Sequence, residues 1–226
     1  MINKQVKDII KASLEADRDV LSESYVAEPK QYKLSTELQS PATKQSHFEL
    51  YEGYIKGFNS ISAKLDTADR SQSNSNYSEF RSLKIDEIYN QNAAYLHELY
   101  FANISDLQSE ISMDSLSFMR LSRDFGTFDD WQRDFMACCS ASRCGWAMTY
   151  YSFWLKRYVN CVIDLHSIQV PVGAFPVVVM DVWQHAYYRD YLRDVKTYTV
   201  AMMKEINWEV IESRIEKAES IARVIS

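Results

Sequence analysis

Residues 177–215 read VVVMDVWQHAYYRDYLRDVKTYTVAMMKEINWEVIESRI, and the spacing of apolar residues changes within this stretch. Its beginning, together with Pro176, is a short run rich in β-branched residues that ends at Asp181, which predicts a strand. The later part has apolar residues at helical spacing over 184–203 and again over 207–224, with a turn at 206–208. The stretch therefore predicts one strand followed by two helices.

Two further strands are predicted just upstream. The runs WAMTYYSFW (146–154) and YVNCVIDLH (158–166) are rich in aromatic and β-branched residues and contain no Gly or Pro. Lys156 and Arg157 lie in the connection, which is short enough for a hairpin. Gly173 marks a bend before the third strand. These runs predict a small three-stranded antiparallel sheet.

The first hundred residues carry helical patterns. Apolar residues recur every three or four positions over 41–65 and again over 85–100. The polar stretch DTADRSQSNSNYS (66–78) between them lacks periodicity and predicts an exposed loop, so the two long helices form a hairpin. A separate amphipathic helix is predicted within 2–24, where it would dock on its own domain or on a partner chain.

Shorter helices are predicted between residues 104 and 143. The pattern breaks at 125–127, and Thr127 can cap the following run, which has Asp129 and Asp130 in its first turn. Helices first, strands next and helices last predict an α+β protein. We divide it into an N-terminal helical extension (1–33), a helical-hairpin domain (34–103) and an α+β C-terminal domain (104–226).

Composition argues against several classes of protein. Hydrophobic residues make up 46% of the chain and charged residues 25%, as in ordinary globular proteins. A net charge of −6 without any Lys/Arg-rich run argues against nucleic acid as the main partner. No apolar run is long enough for a transmembrane helix, and the N-terminal residues do not resemble a secretory signal. We therefore expect a cytoplasmic protein with no membrane partner, or a virion protein if the source is a phage.

The four cysteines, Cys138, Cys139, Cys144 and Cys161, lack the spacing of a zinc knuckle. We expect buried free thiols, with a structural zinc site as the less favoured alternative. The stronger local metal signal is the pair Asp181 and His185, whose four-residue spacing lets both side chains approach one ion. By itself this pair is a weak signal, because a histidine on a helix is more often structural.

Several motifs, in the right order, resemble those of the iron/manganese superoxide dismutases. DVWQHAYY (181–188), followed by INW (206–208), is similar to the family's C-terminal signature. RDFGTFDDWQRDF (123–135) and GWAM (145–148) resemble its D-F-G-S and G-W-A-W segments. QNAAYLHELYF (91–101) and SPATKQSHFELYEGYIKGFN (40–59) resemble its two ligand helices. The chain is identified on these motifs, from about residue 34 to the C-terminus, as a divergent member.

The resemblance implies one Mn or Fe ion per chain, in a trigonal bipyramidal site of three imidazoles, one carboxylate and one solvent molecule. The implied ligands are His47, His97, Asp181 and His185. Tyr54 would be the gateway phenol of the substrate channel. His166 falls where most members have a Gln that hydrogen-bonds the solvent molecule, and a His there could also titrate near neutrality. Trp146 and Trp183 would wall the site.

The chain departs from the family pattern at three places. His47 precedes Tyr54 by seven residues instead of the commoner eight, and a gapless alignment on Tyr54 would put Ser46 at the ligand position. We prefer His47 because serine is a poor ligand for this ion. Leu50 and Tyr51 occupy the stretch where the family has a second-shell histidine. Gln184 replaces the Glu that in most members reaches across a dimer interface, which predicts a weakened or different dimer.

Two functions are compatible with these features. The first is dismutation of superoxide to O2 and H2O2, with protons delivered through Tyr54 and His166. The alternative is a non-catalytic structural or interaction subunit of a large assembly, such as a virion, that retains the fold. The predicted N-terminal helix and the change at residue 184 favour this alternative. Either way we expect a homo-oligomer, or a larger assembly made through the N-terminal helix.

Overall fold

The computed structural model describes residues 25–105 and 109–225. Its helices are α1 (Pro41–Thr67), α2 (Glu79–Ile104), α3 (Leu116–Phe125), α4 (Phe128–Ala141), α5 (Gln184–Tyr191), α6 (Val195–Lys204) and α7 (Trp208–Ile225), and its strands are β1 (Gly145–Ser152), β2 (Arg157–Asp164) and β3 (Ala174–Asp181). The α+β class with a three-stranded antiparallel sheet is confirmed. The helix predicted within 2–24 lies outside the described residues, and the division into three domains stays a prediction.

Helices α1 and α2 form the predicted hairpin, and a capping serine precedes each. The Ser40 hydroxyl accepts a hydrogen bond from the Thr43 amide (3.2 Å), and Ser78 does the same for Arg81 (3.3 Å). Such caps satisfy amide groups that have no partner within the helix. The connection between the helices holds only a short 3-10 turn, and residues 69–77 are exposed or half-buried. The polar composition of that stretch explains its exposure.

The sheet has the strand order β2-β1-β3, with both pairings antiparallel. Gly145 at the start of β1 is required by close packing, since a Cβ atom there would lie 1.9 Å from the carbonyl oxygen of Ile163. Gly173 has φ +66° at the predicted bend before β3, a conformation that side-chain-bearing residues rarely adopt. Trp146 pairs with Asp181, so the register of β1 against β3 sets the position of that carboxylate.

β3 lies at one edge of the sheet, and its outer carbonyl groups bond to side chains from three helices. The hydrogen bonds are Arg214 to Val177 (2.8 Å), Asn103 to Val179 (2.7 Å) and Tyr198 to Asp181 (2.8 Å). The three donors belong to α7, α2 and α6. An edge strand otherwise leaves a row of unpaired backbone groups, so these side chains complete the hydrogen bonding at alternate residues of β3.

The prediction of a single helix over 184–203 is wrong. Helix α5 ends at Tyr191, because Leu192 has φ 53° and the chain turns before α6. Asp194 then caps α6 by accepting a hydrogen bond from the Thr197 amide (3.0 Å). The apolar periodicity continues through this break, which is why the sequence pattern predicted one helix.

The core lies between α2, the sheet and the C-terminal helices, and large aromatic residues fill much of it. Fully buried examples are Tyr51, Tyr100, Phe101, Trp131, Phe135, Trp146, Tyr158 and Tyr198. Thr127 caps α4 as predicted, accepting from the Asp130 amide (3.0 Å). None of the helices in the described ranges is both long enough and apolar enough to cross a membrane.

Candidate metal centre

Four side chains from four different elements converge in the interior. His47 comes from α1, His97 from α2, Asp181 from the end of β3 and His185 from the first turn of α5. One potential ligand atom of each lies within 4.8 Å of the other three. Across residues 25–105 and 109–225 no other group of three or more His, Cys, Asp or Glu side chains has this arrangement.

Local structure places each of these side chains on the inner side of its element. His47 lies on the buried face of α1, which repeats every four residues through Thr43, Tyr51 and Ile55. Asp181 ends β3, and its Oδ1 accepts a hydrogen bond from the Trp183 amide (2.8 Å), which fixes the carboxylate at the turn into α5. His185 follows four residues after the aspartate and meets the same carboxylate.

The three imidazoles surround one oxygen of the carboxylate. Asp181 Oδ2 lies 3.0 Å from His47 Nε2, 3.1 Å from His185 Nε2 and 3.6 Å from His97 Nε2. Two atoms that each lie about 2.1 Å from one ion are about 3.0 to 3.6 Å apart at angles of 90° to 120°. The three separations from Asp181 Oδ2 therefore suit atoms bound to a single ion.

His97 supplies an independent sign of a ligand site. Its Nδ1 lies 2.6 Å from the carbonyl oxygen of Ala93, an acceptor, so Nδ1 carries the hydrogen and Nε2 carries a lone pair. That Nε2 is buried and has no hydrogen-bond partner in the described structure. A buried acceptor without a partner costs free energy, and a cation at the centre of the cluster would satisfy it.

The protonation states of His47, His97 and Asp181 suit metal ligation. Burial lowers the pKa of His47 and of His97, with the neighbouring His47 lowering that of His97 further, so both imidazoles are neutral at pH 7. Burial disfavours ionisation of Asp181, but the neighbouring His185 and the hydrogen bonds from His185 and His47 outweigh it and hold the pKa of that carboxyl well below its usual value. Neutral imidazoles at His47 and His97 and an ionised carboxylate at Asp181 fit a divalent or trivalent metal.

The structure places His47, and not Ser46, in the cluster. The Ser46 hydroxyl donates to the carbonyl oxygen of Thr43 (3.2 Å) on its own helix. His47 is 1% exposed and contacts both His97 and His185, with ring centroids 5.1 Å and 4.8 Å away. The unusual seven-residue spacing between His47 and Tyr54 is therefore compatible with a four-residue cluster.

His166 and Tyr54 form a hydrogen-bonded pair beside the cluster. The Trp146 indole donates to His166 Nδ1 (3.0 Å), and His166 Nε2 lies 3.1 Å from the Tyr54 hydroxyl. Since an indole N–H only donates, Nδ1 accepts and the neutral ring carries its hydrogen on Nε2, which donates to Tyr54. Burial lowers the pKa of His166 to about 4, so the expectation that it titrates near neutrality is wrong for this environment. Burial raises the pKa of Tyr54, which keeps the phenol protonated.

Both tryptophans expected at the site contact its histidines. Trp146 meets His97 edge to face, with ring centroids 4.9 Å apart. Trp183 stacks on His166 at 4.9 Å and also on His185 at 5.9 Å. Two large rings in these positions exclude water from most of the space around the imidazoles, which lowers the local dielectric.

Several residues of this region were not predicted from the sequence. Tyr89 lies 4.7 Å from His166 by ring centroids, and its hydroxyl hydrogen-bonds that of Tyr54. It precedes His97 by eight residues on α2, a helical spacing that could have revealed it. A second group links Gln39, Tyr100 and Tyr198 to the main chain of Asp181 through buried hydrogen bonds. No local pattern signals that group, because its members are far apart in the chain.

A surface hollow of about 530 Å³ opens beside the partly exposed His185. Its lining residues are Ser46, Leu50, Gln184, His185, Tyr188 and Arg189. Leu50 and Gln184, which stand at positions where the sequence departs from the family pattern, thus lie at the same surface. The oligomeric state stays a prediction.

All four cysteines are free thiols outside the cluster. Burial raises the pKa of Cys138 to about 11 and that of Cys161 to about 12, so both are protonated at neutral pH. Only Cys139 is buried and the other three thiols are half-buried, so the expectation of buried thiols holds in full for Cys139 alone. Within residues 25–105 and 109–225 no cysteine belongs to a group of three or more possible ligands, so nothing supports the zinc alternative.

Comparisons with known proteins agree with this geometry. The family model for the C-terminal domain of iron/manganese superoxide dismutases matches residues 116–214. The chain is 36% identical to "Superoxide dismutase [Fe]" of Aquifex pyrophilus and 35% identical to that of Aquifex aeolicus, each over 84% of this chain and 92% of the relative. It is 26% identical to "Superoxide dismutase [Mn] 2" of Haloferax volcanii, over 86% of this chain and 97% of the relative. With one redox-metal donor set and relatives matched along nearly their whole length, the chain belongs to the iron/manganese superoxide dismutase family.

Proposed function

We propose that the protein dismutates superoxide at a single Mn or Fe ion held by His47, His97, Asp181 and His185. The observation that carries the proposal is the convergence of three imidazole Nε2 atoms on one buried carboxylate oxygen. Nitrogen and oxygen donors of this kind suit Mn and Fe, and relatives named for each metal match the chain. The comparisons therefore leave the choice between the two metals open.

The overall reaction converts two superoxide anions and two protons into O2 and H2O2. One superoxide loses an electron and the other gains it, and a bound redox metal supplies this one-electron chemistry. The chain's own residues have the task of moving protons, because only the superoxide that becomes peroxide takes up two of them.

Tyr54 and His166 are suited to hold and pass a proton. His166 Nε2–H donates to the Tyr54 oxygen, so the Tyr54 hydroxyl is free to orient its own hydrogen toward a substrate or toward Tyr89. Trp146 holds the His166 ring in this tautomer through its bond to Nδ1. We therefore assign Tyr54 the role of proton donor to reduced substrate and His166 the role of orienting it.

The test is to measure metal content and superoxide consumption on the same purified sample. We expect about one Mn or Fe per chain, with turnover. His185→Ala and His47→Ala should each lower metal content and reduce turnover by about 100-fold or more, because each removes a ligand.

Ser46→Ala is the matched control, since Ser46 adjoins His47 and bonds only to its own helix. It should retain both metal and turnover. Loss of metal in Ser46→Ala but not in His47→Ala would overturn the ligand assignment. Full metal occupancy without turnover would instead favour the non-catalytic assembly subunit. Cytoplasmic location and oligomeric assembly stay predictions from the sequence.

A further inference from the structure

We propose that a groove between α3, α7 and the β1–β2 turn binds a small molecule that carries a phosphate group and an apolar body. The groove has a volume of about 650 Å³, within the range of small-molecule sites. None of its lining residues belongs to the metal centre. The site therefore adds to the proposed dismutase function and does not depend on it.

The charge of the groove is opposite to that of the whole chain. Its lining includes the cations Arg120, Arg123, Lys156 and Arg223 and one carboxylate, Glu219. Even when Asp124, the ion-pair partner of Arg123, is counted, four cations face two carboxylates. The chain itself carries a net charge of −6, so this local excess of positive charge is a distinct feature that attracts anions.

Ion pairs hold Arg120 and Arg123 in place and use only some of their N–H donors. Arg120 bonds Glu219 through Nε (2.5 Å) and Nη2 (3.2 Å), and Arg123 bonds Asp124 through the same two nitrogens (2.6 and 2.9 Å). Among residues 25–105 and 109–225 the Nη1 atom of each guanidinium has no hydrogen-bond partner, so its donors can bind a ligand. Groups that are already ordered lose less entropy on binding, and a planar guanidinium matches the oxygens of a phosphate.

Lys156 adds a further cation to the lining of the groove. It lies in the turn between β1 and β2 with φ 54°, where its amide donates to the Ser152 carbonyl oxygen (2.8 Å). A left-handed lysine in a tight turn costs some free energy, and here the turn carries the side chain to the groove. Its ammonium has no carboxylate within ion-pair distance among residues 25–105 and 109–225.

A buried hydroxyl lies behind the charged lining. Tyr158 is 0% exposed, and its hydroxyl has no hydrogen-bond partner in the described structure. Its ring meets that of Tyr151, a lining residue, edge to face at 5.1 Å. Burial and the nearby Glu219 carboxylate raise the pKa of Tyr158, while Arg120 and Arg123 oppose this, so the hydroxyl keeps its proton. Because Tyr158 is fully buried and is not a lining residue, it packs behind Tyr151 and does not itself contact a ligand.

Part of the lining is apolar, which argues for an organic ligand. Phe153, Ala222 and Ile225 border the groove, and Phe153 packs edge to face on Tyr151 at 5.6 Å. An inorganic anion would leave this surface uncovered, whereas an aryl or alkyl phosphate would cover it. The ligand class is therefore a phosphate ester with an apolar substituent.

The test is calorimetric titration of the full-length protein with phenyl phosphate and with inorganic phosphate. We expect saturable binding at one site per chain, with phenyl phosphate the tighter ligand by about fivefold from burial of its ring. Lys156→Ala combined with Arg223→Ala should weaken binding of phenyl phosphate by about tenfold or more, because two cations are lost.

The matched control combines Lys56→Ala with Arg81→Ala, which removes two exposed cations from the helical hairpin. It should leave binding unchanged, and all variants should keep wild-type metal content and superoxide turnover. The proposal fails if the control weakens binding as much as the groove variant, since that would indicate diffuse charge attraction. It also fails if wild-type protein shows no saturable binding, or if a short DNA oligonucleotide displaces phenyl phosphate and binds more tightly through the same residues.

Discussion

Replacing Tyr198 by Phe removes one hydroxyl from a buried series of hydrogen bonds that ends on the main chain of Asp181. The direction of the series follows from its end, because a carbonyl oxygen only accepts. Tyr198 therefore donates to Asp181 O (2.8 Å), Tyr100 donates to Tyr198 (2.9 Å), and Gln39 donates to Tyr100 (3.1 Å). Tyr100, Tyr198 and Asp181 are each 0% exposed, so water does not replace a lost partner.

The expected loss of stability depends on the hydrogen-bonding groups that the substitution leaves unpaired. Tyr198→Phe leaves the Tyr100 O–H and the Asp181 carbonyl unpaired, and at about 1–3 kcal/mol for each buried group the free energy of unfolding should fall by about 2–6 kcal/mol. Tyr100→Phe should cost only about 1 kcal/mol, because Tyr198 keeps its bond to Asp181 and Gln39 keeps its bond to Ala186 O (2.9 Å).

The assay is equilibrium urea unfolding of the metal-free protein. Free energies of wild type and variants are compared where the dependence of the unfolding free energy on urea concentration has the same slope. Tyr191→Phe is the control, because the Tyr191 hydroxyl donates to Leu38 O (2.6 Å) at a half-buried position where water can substitute. It should cost less than about 1 kcal/mol. If Tyr198→Phe destabilised the protein no more than Tyr191→Phe or Tyr100→Phe, the deduced direction of the hydrogen bonds would be wrong.

Three further outcomes are expected of the metal-free protein. Arg214→Met should lower the free energy of unfolding by about 3–5 kcal/mol, because Arg214 donates hydrogen bonds to buried oxygen atoms of Asn103, Val177 and Leu99. A loss below about 1 kcal/mol in urea unfolding would contradict this. Asp194→Ala should lower the free energy of unfolding by about 1 kcal/mol, because α6 loses its N-cap, and the midpoint of thermal unfolding should fall. An unchanged midpoint would show that this cap does not stabilise the protein. Burial lowers the pKa of His166 from 6.5 to about 4, so the unfolded chain takes up this proton at a higher pH than the folded protein does. The free energy of unfolding should therefore decline as the pH falls from about 6.5 toward 4. An equally steep decline in His166→Gln would show that other histidines cause it.

Much of the secondary structure was predictable, because its signals are local. The limits of α1 agree with the sequence interpretation to within two residues, since a proline and a capping serine mark its start. The strands were recognisable from β-branched and aromatic runs. The break at Leu192 was not, because a leucine in the left-handed region reflects the packing of α5 and α6 and not a local preference.

Some residues of the candidate site were likewise predictable from local sequence, and others were not. The pair Asp181 and His185 is visible as a four-residue spacing, while His47 and His97 join it only through the packing of α1 and α2 against β3. Their prediction depended on a resemblance between ordered motifs. The charge state of His166 was not predictable, since it depends on burial among Trp146, Trp183 and Tyr89.

The attachments along the edge of β3 have a consequence for local opening of this strand. Arg214, Asn103 and Tyr198 attach alternate residues of this strand to three helices, and the last attachment is at Asp181 itself. The strand end is therefore not expected to open by local fraying alone, because three helices hold it through side-chain hydrogen bonds. The amide hydrogens of β3 should then be among the slowest of the protein to exchange, with protection close to that of global unfolding.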